Sequence, residues 1–197
     1  MSSVQSRLIS ILEKRECIQE RLPVIEGEKT LLRPITDADT DDIVRWRNSP
    51  SVRQNFIFRK VFTAEMHREW LRTKVATGDV IQYIIIERES GKKIGSVYLR
   101  DVDIDNESAE FGIFIGEDDA RGRGIGSEAT KLFSDFALDV IGLHRVCLRL
   151  IAGNDIARCV YEKAGFRLEG VFRDYVKLDG AFTDVLFMAR LAERVIP

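Results

Sequence analysis

The chain has 197 residues, 45% of them apolar, with 30 basic and 32 acidic side chains and a net charge of −2. That length suits one domain able to bury a core without metals or disulfides. The near-neutral balance argues against long-range steering of nucleic acid, and no apolar run approaches the roughly 20 residues of a membrane span. Three cysteines (Cys17, Cys147, Cys159) and two histidines (His67, His144) stand at no metal-ligand spacing. A metal-free protein in a reducing, cytoplasmic setting is expected.

The stretch 1–22 has no secretory pattern, because Glu13, Lys14, Arg15 and Glu16 interrupt any apolar region. Val4, Leu8, Ile11, Leu12 and Ile18 fall loosely at helical spacing before Pro23. The expectation is a helical extension over 1–23 and one domain over 24–197.

Residues 30–35 read as a strand. Thr36 can cap a helix with Asp37 and Asp39 in its first turn and Arg45 and Arg47 in its last, as the macrodipole favours. Asn48-Ser49-Pro50 stops it, and Thr63 opens a second helix with Met66, Trp70 and Leu71 as its apolar stripe. The loop between them carries Phe56, Ile57, Phe58 and Phe62, an aromatic content suited either to covering a pocket or to packing on a sheet.

Residues 80–88 and 93–100 are β-rich runs joined by Glu89-Ser90-Gly91-Lys92, and 109–116 supplies a third, giving three consecutive antiparallel strands. The period then changes. Ala129, Leu132, Phe133, Phe136, Ala137 and Val140 mark one face of a helix ending near Gly142. A strand at 145–151, a helix capped by Asn154 and closed by Gly165, and a hairpin around Asp179-Gly180 complete the chain. The predicted fold is α+β: a mixed, mostly antiparallel sheet of about seven strands in the order βααβββαβαββ, flanked by helices.

Two segments carry chemistry. Arg121-Gly122-Arg123-Gly124-Ile125-Gly126, with Ser127 behind it, leads from strand to helix. It brings unpaired backbone N–H groups and the positive end of a helix dipole to one point, where an anion is favoured. Its glycines permit close approach to a phosphate, and Arg121 and Arg123 can add charge-assisted contacts. A ligand-free tight turn is the plain alternative. A dinucleotide fingerprint does not fit, since Ser127 stands where its third glycine belongs and antiparallel strands precede the loop. In the second segment, Asn154 and Tyr161 lie seven residues apart, hence on one helix face and about 10 Å apart along the axis. Asn154 offers an amide to peptide-like groups and Tyr161 a hydroxyl protonated at neutral pH. Taken singly, Asn154 can be only a cap and Tyr161 only a core residue.

Together these segments resemble the GNAT superfamily of acyl-CoA-dependent N-acyltransferases. Its pyrophosphate motif, Arg/Gln-x-x-Gly-x-Gly/Ala, is met by Arg121, Gly124 and Gly126. The run Asn154-x-x-Ala157-x-x-x-Tyr161-Glu162-Lys163-x-Gly165-Phe166 is similar to the branch holding ribosomal-protein N-terminal, spermidine and amino-sugar-nucleotide acetyltransferases. The resemblance implies that the strand at 109–116 splays from its neighbour and takes the acetyl-pantetheine arm of acetyl-CoA against Ile113, Phe114 and Ile115. It implies that residues 121–127 hold the pyrophosphate, that Asn154 and Ala157 flank the arm with Lys163 near the phosphates, and that Tyr161 protonates the departing thiolate. No cysteine nucleophile is implied. Glu110 is the candidate base for the acceptor ammonium, with an ordinary arginine ion pair as its alternative. On the acceptor side, Trp46-Arg47-Asn48 and the segment from Phe62 to Trp70 echo the amino-sugar-nucleotide enzymes. Trp46, Arg47, Phe58 and Trp70 are the candidates there, with core packing as the alternative for both tryptophans. A small-molecule amine acceptor is expected, with protein N-termini or polyamines as alternatives. A homo-oligomer is compatible with the sequence, which leaves the oligomeric state open.

Overall fold

A computed structural model describes residues 22–193. The predicted helix within 1–23 lies almost wholly outside them. The strands are β1 (Ile25–Glu26), β2 (Thr30–Pro34), β3 (Val80–Glu87), β4 (Lys93–Asp103), β5 (Ser108–Ile115), β6 (Arg145–Ile151), β7 (Arg167–Leu178) and β8 (Ala181–Leu191). The helices are α1 (Thr40–Asn48), α2 (Pro50–Arg53), α3 (Ala64–Trp70), α4 (Ile125–Asp135) and α5 (Asp155–Lys163). All eight strands form one sheet in the order β1-β2-β3-β4-β5-β6-β8-β7. Every neighbouring pair is antiparallel except β5 with β6. The sheet exceeds the expected seven strands because two-residue β1 pairs with Leu31 and Leu32, too short a segment to leave a period in the sequence. Among the described residues no helix is long and apolar enough to cross a membrane.

The strand period of two supplies both faces of the sheet. On one face Tyr83, Leu99, Phe111 and Val146 join Phe133 of α4 and Phe166 in the larger core. On the other, Ile84 and Phe114 meet Ile43 and Trp46 of α1 and Val52 of α2 in a smaller one. Helices therefore cover both faces, and β3, buried on each side, reads as an almost continuous apolar run broken by Gln82.

Local chemistry sets the helix ends. A short 3-10 turn, Asp37–Asp39, precedes α1, and Thr36 and Asp39 form a reciprocal capping box. Asp39 is buried, which works against its charge. Hydrogen bonds from Arg33, Lys93 and the Thr36 amide outweigh that burial and hold its carboxyl below the usual range. In α3 the expected stripe is corrected at one position: Met66 is 39% exposed, and the buried residue of that helix is His67, whose Nδ1 lies 2.9 Å from the Thr40 hydroxyl. The helix begins where Thr63 accepts from the Met66 amide, and that phase turns Met66 outward. Pro50, expected only to stop α1, also serves as the first residue of the one-turn helix α2.

Candidate active site

The gap that could hold an extended ligand comes from incomplete pairing. Strand β5 follows β4 as far as Ile115, but it pairs with β6 only at Ser108, Ala109 and Glu110, opposite Arg145, Val146 and Cys147. Beyond that point β6 stays with β8 through Ile151, so β5 and β6 diverge from Phe111 onward. The Ile115 carbonyl accepts a hydrogen bond from Arg121 Nη2 at 2.8 Å, so it is turned away from β4. By strand alternation the N–H and C=O of Ile113 and Phe111 face the same gap. Unpaired backbone groups along a strand are a ready edge for an amide-bearing ligand.

Helix α5 lies at the mouth of this gap. Asn154 Oδ1 accepts from the Ala157 amide at 3.2 Å, and Asn154 Nδ2 donates to Asn55 Oδ1 at 3.1 Å. The cap and the outward-facing amide are thus one side chain. At the other end Ala164 is the C-cap and Gly165 adopts φ 96°. Gly165 N–H donates to Glu162 O and Phe166 N–H to Tyr161 O, both at 3.0 Å, the two bonds of a Schellman motif. Its accompanying apolar contact is Phe166 on Tyr161, with ring centroids 5.9 Å apart. The Phe111 ring meets Tyr161 edge-on at 6.2 Å. The sequence Tyr161-x-x-x-Gly165-Phe166 is therefore a device that fixes the tyrosine beside the first unpaired residue of β5. Burial, with a smaller push from Tyr98, raises the Tyr161 hydroxyl far above its ordinary range, so it is protonated at neutral pH.

The loop before α4 has the expected form. Gly122 and Gly124 adopt φ 73° and 81°, and Gly124 is the N-cap. Among the described residues the amides of 122–127 donate to no protein acceptor; the first bond of the helix is Glu128 N–H to Gly124 O at 3.0 Å. The free amides of the first turn of α4 and its dipole meet at this loop. The arginines of the motif are committed elsewhere. Arg121 pairs with Asp118 at 2.8 Å and Arg123 with Glu87 at 2.6 Å. The loop thus offers backbone amides, while the Arg121 and Arg123 side chains, expected to add charge-assisted contacts, are engaged in ion pairs at the surface. A groove of about 350 Å³ between α4 and α5 continues from the cradle, lined by Ser127, Glu128, Lys131, Leu132 and Lys163. Glu128 anchors the α4 end: its carboxylate accepts the Glu28 and Lys29 amides at 2.9 and 3.0 Å and the Thr30 hydroxyl at 2.7 Å. No sequence signal marked that residue.

Glu110 sits at the last paired position of β5. Its carboxylate receives Arg149 Nε at 3.1 Å and Nη2 at 2.8 Å, and also Arg100 Nη2. Both oxygens are held by guanidinium groups, which is the ion-pair geometry of the alternative reading.

The acceptor candidates separate. Trp46 is fully buried, its indole N–H donating to Glu117 at 2.8 Å and its ring edge-on to Phe114 at 6.3 Å. It is a core residue, and the expectation that it lines an acceptor pocket is corrected. Trp70 packs on the smaller core and donates its N–H to Gln82 at 2.9 Å. Phe58 is 44% exposed. Arg47 stands over the Phe56 ring at 3.6 Å from its centroid, within electrostatic reach of Tyr98 and Arg100. Two more residues complete this face, Tyr98, which sequence reasoning missed, and Phe56 of the aromatic loop. Tyr98 lies directly over Gly112, where an added Cβ would come 2.3 Å from the ring. Phe56 bridges Arg47 and Phe114. Only the pairing of Tyr98 with Gly112 across β4 and β5 reveals the first, and nothing local signals it.

Comparison with known proteins matches this geometry. The family model described as "Acetyltransferase (GNAT) domain" matches residues 29–167. The spermidine N(1)-acetyltransferase of Escherichia coli is 26% identical over 157 residues, covering 80% of this chain and 83% of that protein. The putative ribosomal N-acetyltransferase YdaF of Bacillus subtilis is 31% identical over 101 residues, 51% of this chain and 55% of that one. An uncharacterized Methanocaldococcus jannaschii protein, MJ1062, is 30% identical over 145 residues, and the chain spans only 29% of its length. Among solved structures, the spermidine N-acetyltransferase of Vibrio cholerae in complex with CoA and spermine shares the fold. Its TM-score is 0.78 at 21% identity, over 84% of this chain and 96% of that one. The unzipped strand, the amide cradle and the capped tyrosine helix are thus parts of an acyl-CoA-dependent N-acetyltransferase domain with acetyl-CoA as cosubstrate, and the chain belongs to the GNAT acetyltransferase family.

Proposed function

We propose that this chain transfers the acetyl group of acetyl-CoA to the primary amine of a small molecule by direct attack, with no acyl-enzyme. The observation that carries the reading is the run of unpaired backbone in β5 beyond Glu110, with Tyr161 at its mouth and the amide cradle of 122–127 at its far end. The pantetheine arm pairs with that edge, its amides meeting the N–H and C=O groups near Ile113 and Ile115. One backbone N–H there holds the thioester oxygen as charge develops on it. The pyrophosphate sits on the amides of 122–127, and Asn154, Ala157 and Lys163 flank the arm and its phosphates.

The amine nitrogen, freed of its extra proton, forms a C–N bond to the carbonyl carbon. The C–S bond breaks and the thiolate takes the Tyr161 hydroxyl proton. The nitrogen then loses a proton to water, and water reprotonates the tyrosinate. Burial raises the Tyr161 hydroxyl, but a thiolate leaving into the same dry gap is raised as well, so transfer between them stays feasible. Glu110 next to the gap is a candidate relay for the amine proton, in competition with its two arginines.

The test pairs acceptor screening with one mutation. Wild type is incubated with acetyl-CoA and polyamines, UDP-linked amino sugars or peptides with free N-termini, and acetylated product is read by mass spectrometry. Tyr161→Phe should leave acetyl-CoA affinity intact and lower kcat by about 10²-fold, the usual contribution of a positioned acid. Undiminished turnover in Tyr161→Phe would remove the acid role, and saturable binding without transfer to any acceptor would favour a non-catalytic acyl-CoA module. Self-association belongs to the same reading: β7 is a free sheet edge with Leu168, Val171, Phe172 and Tyr175 exposed, and light scattering should report more than a monomer.

A further inference from the structure

The arginines of the sheet face that carries Tyr98 and Gly112 are unequally matched. Arg100 and Arg149 share the single carboxylate of Glu110, at the last paired position of β5. Arg33 before α1 is paired with Asp39, and Arg45 within α1 with Asp42 and Glu117. Arg47, in the last turn of α1, makes no hydrogen bond or ion pair among the described residues. Its guanidinium instead lies over two rings, 3.6 Å from the centroid of Phe56 and 5.3 Å from that of Phe62. Burial pushes its pKa down, Arg100 pushes it further, and Tyr98 offsets only part of this. Its nitrogens are not among the buried polar atoms left without a partner, so its donors stay reachable by a ligand, while ring stacking offsets its desolvation only in part. Such a site is completed by an oxyanion, and a planar guanidinium matches a carboxylate or phosphate in two-point contact.

Phe56, beneath Arg47, touches Phe114 on β5, and Tyr98, beside Arg47, covers Gly112 on the same unpaired segment. The unmatched cation therefore stands on the acceptor side of the gap, opposite the helices that form the cradle. Among the described residues, the carboxylates that a polycation would need are not assembled here. Glu65 lies in the exposed first turn of α3, Asp184 accepts the Asp174 amide, and Glu110 is held by two arginines.

We propose that Arg47 binds an anionic group on the acceptor, so that the substrate is an amine carrying a carboxylate or phosphate rather than a polyamine. This rests on the acyl-transfer reading above. The experiment uses matched amines with and without an anion: lysine against cadaverine for the carboxylate, and glucosamine 6-phosphate against glucosamine for the phosphate. Wild type, Arg47→Lys and Arg47→Met are compared by kcat/KM, with mass-spectrometric detection of the acetylated product. The anionic member of at least one pair should be favoured about 10- to 100-fold in wild type, and that preference should be reduced in Arg47→Lys and abolished in Arg47→Met. Which pair shows it distinguishes carboxylate from phosphate. Faster transfer to the uncharged or polycationic member, or a preference that survives Arg47→Met, overturns the proposal.

A second readout does not depend on turnover. With coenzyme A saturating, so that the cradle is filled, inorganic phosphate and acetate are titrated while the melting temperature is followed. Wild type should show a saturable rise with one of them that Arg47→Met lacks, and without anion Arg47→Met should melt no lower than wild type, because it removes an unmatched charge. Equal responses in both proteins overturn the proposal. Absence of transfer to every acceptor, with the anion response intact in wild type and lost in Arg47→Met, would instead count against the acyl-transfer reading and leave the anion site standing.

Discussion

Gly165→Ala perturbs the C-cap that places Tyr161. The residue has φ 96°, so an L side chain costs about 1–2 kcal/mol from backbone conformation alone. The new Cβ would also lie 3.2 Å from Arg190 Nε, and Arg190 cannot swing freely because its guanidinium donates to Ser134 Oγ at 2.7 Å and pairs with Asp135 at 2.6 Å. A total near 2 kcal/mol lowers the melting temperature of a chain this size by about 4–8 °C. Gly180→Ala is the control. It has φ 91° and no atom within 4 Å of the added Cβ, and it sits in the β7–β8 turn. It should lose the backbone part of the stability without altering catalysis. Scanning calorimetry reads the first effect, and kcat at 25 °C with saturating acetyl-CoA reads the second. If the Schellman bonds from Gly165 and Phe166 hold the tyrosine in place, only Gly165→Ala lowers kcat, by several-fold. A Gly165→Ala protein with unchanged melting temperature, or one that melts lower yet turns over like Gly180→Ala, would refute the link between cap and catalysis.

Three further outcomes are expected. The Glu117 carboxyl is lowered from its ordinary 4.5 to about 2, first by the hydrogen bond from Arg45 and then by that from Trp46. Its stabilisation is therefore complete above about pH 4.5 and is lost as pH falls toward 2. The difference in melting temperature between wild type and Glu117→Gln should shrink across that window, and a difference independent of pH would remove Glu117 as its source. Glu110→Gln leaves Arg100 and Arg149 without their carboxylate and should lower the melting temperature by about 3–10 °C. If Glu110 is also the relay, kcat falls in that variant by more than in an Arg100→Gln variant that breaks the same ion pair; if it is only an ion-pair partner, the two variants turn over alike. Cys159, exposed on α5, should tolerate Cys159→Ala with unchanged turnover, and a kinetically competent acetyl-cysteine would contradict direct attack.

What could be read from the chain was local. The periodicity around Phe133, the cap at Asn154, the Gly165 stop and the glycines at 122 and 124 each impose a backbone state through nearest neighbours alone, and each took the structure expected of it. The loop of free amides before α4 was legible for that reason, since orphan amides at a helix start need no tertiary partner. The hydrogen-bonded state of Glu110, the burial of Trp46 and the exposure of Met66 were not. They depend on which strand lies beside which and on the phase of each helix against the sheet.

The sequence by itself determined the main elements apart from β1 and α2, most of their caps and turns, and the glycine-rich loop before α4, because those follow from short-range sterics and hydrogen bonding. Only the tertiary structure decided where β5 leaves β6, which arginines find a carboxylate and which is left stacked on Phe56. Those outcomes are set by pairing between residues tens of positions apart, where register and burial, rather than residue type, determine what a side chain meets.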